Sequence, residues 1–473
     1  MTYLWCVTDS AFSFLSSFPI PRPPLHMADS SNTGNQPRSL VLCFDGSSNE
    51  YDADNTNVVK LFALLKKDND EQLCYYQAGV GTYFQPGVVS PIFEWGAKVL
   101  DLAFAWYLNQ HVMDGYTFLM QNYRAGDKIS IFGFSRGAYT ARALGGLLYK
   151  VGLLPKDNQA QVTFAYKMYQ RTDADGDELC AGFKQTYCQN VTIDFMGVWD
   201  TVASVGVIMG KTLPFTNSNS AIKTFRHALS LDEHRAKFRP TLYHRPAPSV
   251  SAAQLDPERA SSPAKANSVS DESVSESKTK KKRRGFFGLG RTVRIKKTGK
   301  AIAPVLVEDE QPPDDVLEVW FSGCHSDIGG GAVTNETVSS LANISLRWMV
   351  REAMLASCEI KFDAAALERA NINLELEPTS EDIEMDQADA LEPLHDELKL
   401  DPLWWLLEIV PLQYSWQDGQ NVWHREWSFH LGRGREIVDP QPNFHATVMK
   451  RMQSALGYTP KATWKSGTEV FVH

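Results

Sequence analysis

KISIFGFSRGAYTARALGGL, residues 128–147, holds an apolar run, a Gly-x-Ser-x-Gly turn and then small residues at helical spacing. Lys128 to Phe132 reads as a buried strand and Ala138 to Leu148 as a helix. A serine at the apex of so tight a turn has its hydroxyl pushed out beyond the sheet edge. Gly133 and Gly137 remove the Cβ atoms that would clash there. The amide of the following residue, Arg136, lies at the helix N-terminus, where an oxyanion would accept its hydrogen bond and feel the helix dipole. Ser135 is therefore the candidate nucleophile. The bare motif arises by chance in about one chain in seven of this length, so the strand before it and the helix after it carry the inference.

The elements on either side alternate. SLVLCFDG (39–46) is a continuous apolar strand ending in Asp45 and Gly46, followed by a helix over 58–66, a strand over 72–79 and a helix over 93–123. Downstream, NVTIDFMGVWDTV (190–202) is another buried strand ending at Trp199, Asp200 and Thr201, and HALSLDEHRAKFRP (227–240) reads as a helix of the outer layer. VLEVWFSGCHSDIGGG (316–331) is a strand that runs straight into His325, Asp327 and three glycines. This alternation predicts an α/β fold, a doubly wound and mainly parallel sheet of the α/β-hydrolase kind, with its chemistry at the carboxyl ends of the strands.

The chain of 473 residues is 43% hydrophobic, ample for a large core, and its net charge of −9 argues against bulk nucleic-acid binding. Seven cysteines without a CxxC pair suit a reducing compartment and argue against a zinc site. Residues 1–38 read as a disordered leader without the basic n-region and long apolar core of a secretory signal. No run of about 18 apolar residues predicts a membrane span, which implies a cytoplasmic protein with at most peripheral membrane contact. Residues 246–304 are Ser/Pro-rich, then acidic, then basic from Lys278 to Lys300 around Phe286 to Leu289, and read as a disordered insertion. Either it is a solvated charged loop, or its basic half touches an anionic membrane surface or serves as an import signal. The catalytic domain then comprises 39–245 and 305–360. A helical and loop extension over 361–473 packs on the same domain. Within it, 375–397 reads as a mobile acidic loop, and LDPLWWLLEIVPL (400–412) as a core helix covering the sheet, with a lid or interfacial segment as the alternative. Trp423, His424, Trp427 and His430 read as packing residues, and 445–452 as a closing helix.

The chain order Ser135, Asp200, His325 places nucleophile, acid and base each just past a strand. Ser135 would attack a carbonyl, His325 would take its proton and pass it to the leaving group, and Asp200 would hold the imidazole tautomer. Asp327, two residues from His325, is the rival acid but is better suited to shaping the loop. The second oxyanion donor is expected from the Asp45-Gly46-Ser47 turn, with the Gly46 amide as donor and Asp45 accepting hydrogen bonds that orient the turn. The competing metal reading would use Asp45, Asp200, His325 and Asp327 as hard ligands; no metal or cofactor is assigned.

Six blocks, LVLCFDGSSNEYDADNTNV, QAGVGT, GFSRGAYTARALGG, GVWDTVASVG, HALSLDEHRAKFRP and VWFSGCHSDIGGG, resemble in sequence and order the catalytic domain of the type VI secretion phospholipase effectors, a family also widespread in fungi. They cover roughly residues 39–350, and the family's FDGTW-type turn reads FDGSSN here. The resemblance implies an α/β-hydrolase fold and a serine triad acting on phospholipid acyl esters, with Ser135, Asp200 and His325 in the three roles. Two functions of different class follow. One is a serine esterase acting on a lipid or other ester, without nucleic acid as partner. The other is a catalytically silent scaffold recruited to a membrane or partner by its basic insertion.

Overall fold

The computed structural model describes residues 37–46, 51–67, 70–79, 93–202, 213, 215–216, 219–243, 315–417 and 423–473, with side chains described outside 93–106 and 412–426. The expected insertion and Ser47 lie wholly outside these residues, and the expected leader and the GVGT turn largely so.

Strand β1 (Ser39–Phe44) is buried along its whole length because both of its faces are covered. Its alternate residues divide the core. Leu40, Leu42 and Phe44 join the cluster that includes Val112, Tyr116 and Leu144, whereas Val41 and Cys43 join Val58, Leu61 and Met349 on the opposite face. Helix α1 (Asn57–Leu64) starts at Thr56, whose hydroxyl accepts from the Val59 amide at 3.3 Å. It is followed by β2 (Gln72–Gln77), α2 (Phe93–Asn122), β3 (Lys128–Phe134) and α3 (Ser135–Val151). Helices α4 (Gln159–Gln170) and α5 (Ala174–Tyr187) lead to β4 (Ile193–Trp199), β5 (Ile222–Ser230) and β6 (Asp315–Phe321).

Short α6 (His325–Gly329) and the longer α7 (Leu341–Leu355) come next. They are followed by α8 (Ala364–Arg369), α9 (Ser380–Asp389), α10 (Glu397–Leu400) and α11 (Trp405–Glu408). An antiparallel pair, β7 (Leu412–Gln417) and β8 (Trp423–Ser428), stands apart from the main sheet. The chain ends in β9 (Asn443–His445), α12 (Ala446–Met452) and β10 (Val470–Val472).

The main sheet has eight strands in the order β10-β9-β6-β5-β4-β3-β1-β2, and every neighbouring pair is parallel. The chain runs from β1 outward to β2 and then returns to the other side of β1 as β3. The carboxyl ends of β1 and β3 therefore flank the switch point where such sheets open a crevice. This is the doubly wound α/β architecture.

Four local expectations are corrected. Residues 227–230 belong to strand β5, followed only by a 3₁₀ turn at Ala236–Phe238, because pairing with β4 and β6 overrides the helical preference of Ala, Leu, Glu and Lys. The acidic stretch over 375–397 contains α9, whose Thr379 and Asp382 form a capping box. Its Asp386 and Asp389 both pair with the Arg347 guanidinium of α7 at 2.5 Å. The C-terminal extension is not helix and loop alone, since β9 and β10 complete the sheet beyond β6. The 400–412 stretch is not a core helix: it breaks into short turns around Asp401 and Pro402 and leaves Ile409 56% and Trp405 45% exposed.

Candidate active site

Ser135 begins α3 with a φ of 58°, a left-handed conformation that costs a non-glycine residue free energy. The glycines around it are required by close backbone approach. A Cβ at Gly137 would run into the carbonyl oxygens of Phe44 and Asp45, and one at Gly133 would lie 2.7 Å from the Gly137 carbonyl oxygen. The turn thereby presses the start of α3 against the end of β1, bringing the Asp45 turn beside the serine.

Asp200 directly follows β4, also with positive φ (37°), and is completely buried. Its amide donates to the Ala228 carbonyl at 2.8 Å, and the next amide, that of Thr201, donates to His227 Nε2 at 3.0 Å. His227 in turn donates from Nδ1 to Glu318 at 2.8 Å, so a second buried histidine fixes the Asp200 turn. The Val202 amide reaches the Ser135 carbonyl at 3.4 Å, tying this turn to the serine.

The Asp200 carboxylate receives four donors. Oδ1 accepts from the Ser230 amide at 3.0 Å and from Arg435 Nη1 at 2.6 Å, while Oδ2 accepts from Arg435 Nη2 at 2.9 Å and from His325 Nδ1 at 2.5 Å. Burial would raise the pKa of this carboxyl, but the Arg435 cation and the bonds from His325 and Arg435 outweigh it and hold the group far below the usual carboxylate range.

His325 is the first residue of α6. Its ring lies against Phe134, the residue before Ser135, with centroids 4.6 Å apart, and against Phe238 at 4.8 Å. Because an ionised carboxylate can only accept, the Nδ1 that faces Asp200 carries the proton and Nε2 presents a lone pair. Nε2 is buried and has no hydrogen-bond partner among the described residues. Burial lowers the imidazole pKa below its ordinary 6.5, more than the bond to Asp200 raises it.

Asp327 holds the α6 loop together. It accepts from the Cys324 amide at 2.9 Å and from both the amide and Nδ1 of His395, at 3.0 and 2.7 Å. Asp45 accepts from the Thr56 hydroxyl at 2.8 Å, the Tyr76 hydroxyl at 2.8 Å and the Gly46 amide at 2.7 Å. The last bond departs from the expected oxyanion role, because the Gly46 N–H already has a carboxylate acceptor. Asp45 and Asp327 thus serve two separate turns, and no group of three or more His, Cys, Asp or Glu among the described residues is arranged to hold a metal ion.

Residues without a sequence signal of their own complete the surroundings. Arg435 sits in LGRGREIVD, which carries no motif. Arg142, from the small-residue helix, is buried and donates to the carbonyls of Thr216, Thr241 and Leu242, holding the loops beside β5. Glu233 accepts from the His325 amide at 3.3 Å and pairs with Arg235 at 2.8 Å. The Arg235 guanidinium covers Phe238 at 3.7 Å and Trp404 at 4.8 Å.

A family model described as T6SS phospholipase effector Tle1-like, catalytic domain, matches residues 38–352. The uncharacterized protein YEL023C of Saccharomyces cerevisiae (strain ATCC 204508 / S288c) is 26% identical over 552 residues, which span 89% of this chain and 80% of the yeast one. Two solved structures are also similar. A crystal structure of an uncharacterized protein from Pseudomonas aeruginosa has 17% identity and a TM-score of 0.36, with 80% of this chain covered but only 54% of that one. The Tle1 effector bound to the VgrG spike of the type 6 secretion system has 12% identity and a TM-score of 0.35, covering 91% of this chain and 94% of the effector. With the family model matching well over half of its residues, the chain belongs to the Tle1-like phospholipase-effector catalytic-domain family.

Proposed function

We propose that the protein is a lipid ester hydrolase that works through Ser135, with phospholipid acyl esters as its substrate class. In this reading Ser135 Oγ attacks the acyl carbonyl while its proton passes to His325 Nε2. The tetrahedral oxyanion collapses to a Ser135 acyl ester as the leaving alcohol takes the proton from Nε2. Water, deprotonated by the same nitrogen, then attacks the acyl ester, and the acid leaves as Ser135 regains its proton. The Arg136 amide at the start of α3 is the oxyanion donor in this scheme. Asp200 keeps Nδ1 protonated and stabilises the imidazolium that forms.

The observation that carries this reading is the state of His325. One nitrogen is bound to a buried carboxylate and the other is buried without a partner among the described residues, on a ring packed against the residue that precedes the strained serine. Lipid as substrate is supported by the family and by the surface nearby. Phe238, in contact with the His325 ring, also packs on Trp404 at 5.5 Å. The residues after Trp404 form an exposed apolar face with Phe429 and Leu431, held beside them by Glu408, which accepts from the Gly432 amide and from His430. Such a face suits transient contact with a membrane surface. No described helix is long and apolar enough to cross a membrane.

Covalent labelling by a fluorophosphonate tests the reading. Wild type should label, with a rate that falls on an acid limb below the ordinary histidine value of 6.5, because the lowered His325 pKa keeps the base form to lower pH. Ser135→Ala should neither label nor hydrolyse any ester while keeping its fold. A folded wild type that stays unlabelled, or a Ser135→Ala protein that labels equally well, would sink it.

A further inference from the structure

We infer that Arg435, which lies beyond the stretch matched by the family model, is a positioning residue of the hydrolytic centre: its guanidinium fixes both oxygens of Asp200, and with them the orientation and charge of the Asp200–His325 pair. The inference rests on the serine-hydrolase reading above.

The geometry is a two-point fork. Nη1 and Nη2 meet Oδ1 and Oδ2 at 2.6 and 2.9 Å, an arrangement that lysine cannot reproduce. The same two nitrogens donate to the carbonyls of Ser230 and Phe238 at 2.9 and 2.6 Å, so the guanidinium is oriented from both sides. Both partners are buried, with the Asp200 side chain wholly so and that of Arg435 4% exposed. An unpaired carboxylate there would carry the full cost of a buried charge.

Charge counting gives the chemical consequence. With Arg435 present, Asp200, Arg435 and neutral His325 sum to zero, and protonating the imidazole leaves a buried net positive charge. Without Arg435 the pair starts at minus one and a proton neutralises it. Arg435 therefore keeps His325 in its base form to lower pH. Of the other groups that face the pair, Arg235 also disfavours the imidazolium and Glu233 favours it, so their effects oppose each other. Glu233 and Arg235, from the loop after β5, are paired with each other, His227 is bound to Glu318 and Thr201, and burial keeps the Cys324 thiol protonated.

The test compares wild type with Arg435→Gln, which keeps a donor and loses the charge, and Arg435→Lys, which keeps the charge and loses the fork. Fluorophosphonate labelling rates are measured across pH on proteins of verified fold. Arg435→Gln should move the acid limb up by about one pH unit, a tenfold fall at fixed pH on the limb. Arg435→Lys should leave the limb in place and lower the plateau. A folded Arg435→Gln whose limb is unmoved, with at most a uniform loss of rate, overturns the inference and reduces Arg435 to a structural clamp. Should Arg435→Gln not fold, Arg435→Lys decides alone, and a plateau within about twofold of wild type overturns the inference. If wild type itself fails to label, the hydrolase reading falls. The NMR titration of the His325 imidazole in wild type and Arg435→Gln then decides this point separately, an upward shift supporting it and none refuting it.

Discussion

Ser135 sits in a left-handed conformation that neighbouring residues must over-determine, and Gly137 is the sharpest of those constraints. Its Cα faces the carbonyl oxygens of Phe44 and Asp45, backbone atoms at the end of a fully buried strand that cannot swing aside. Gly137→Ala should therefore destabilise the protein by about 1–3 kcal/mol and slow labelling of Ser135, read by thermal melting and fluorophosphonate kinetics. An unchanged melting temperature would show that α3 is not held this tightly. Ser135, Asp200 and His325 could be picked out as candidates because each follows an apolar strand, where a polar residue has few structural uses. Arg435 was not, since its meaning arises only when a carboxylate 235 residues away is folded against it.

At the scale of elements, the strands that run continuously apolar declared themselves, and β1, β3, β4 and β6 fall where the sequence places them. Strand β5 did not, because IKTFRHALS mixes Arg226 and His227 into its core, and those polar side chains are tolerable there only through Glu352 and Glu318 on partners distant in sequence. The aromatic stretch over 400–410 misled for the opposite reason. Its apolar content suggests burial, yet Asp401 and Pro402 break it into turns that leave its side chains outward. If this face meets lipid, Ile409→Ser with Phe429→Ser should weaken sedimentation with phosphatidylglycerol vesicles severalfold and leave hydrolysis of a dissolved short-chain ester unchanged, since both side chains are more than half exposed and support little of the fold. Equal vesicle binding would assign the face to some other use.

Taken whole, the molecule extends its sheet past the family's matched residues: β6 pairs with β9, and β9 with β10. A fragment of residues 37–360 would keep Ser135, Asp200 and His325 but leave the edge of β6 bare and Asp200 without its cation. It should aggregate and fail to label, as gel filtration and a fluorophosphonate would show. A monodisperse fragment that labels like the full chain would contradict this. The same arrangement orders events during biosynthesis. A chain leaving the ribosome exposes its serine first, the aspartate and histidine later, and Arg435 after all of them. In the proposed scheme a nascent chain thus carries its serine before the cation that sets the charge of the pair, and becomes competent only once Arg435 has been made and folded onto Asp200.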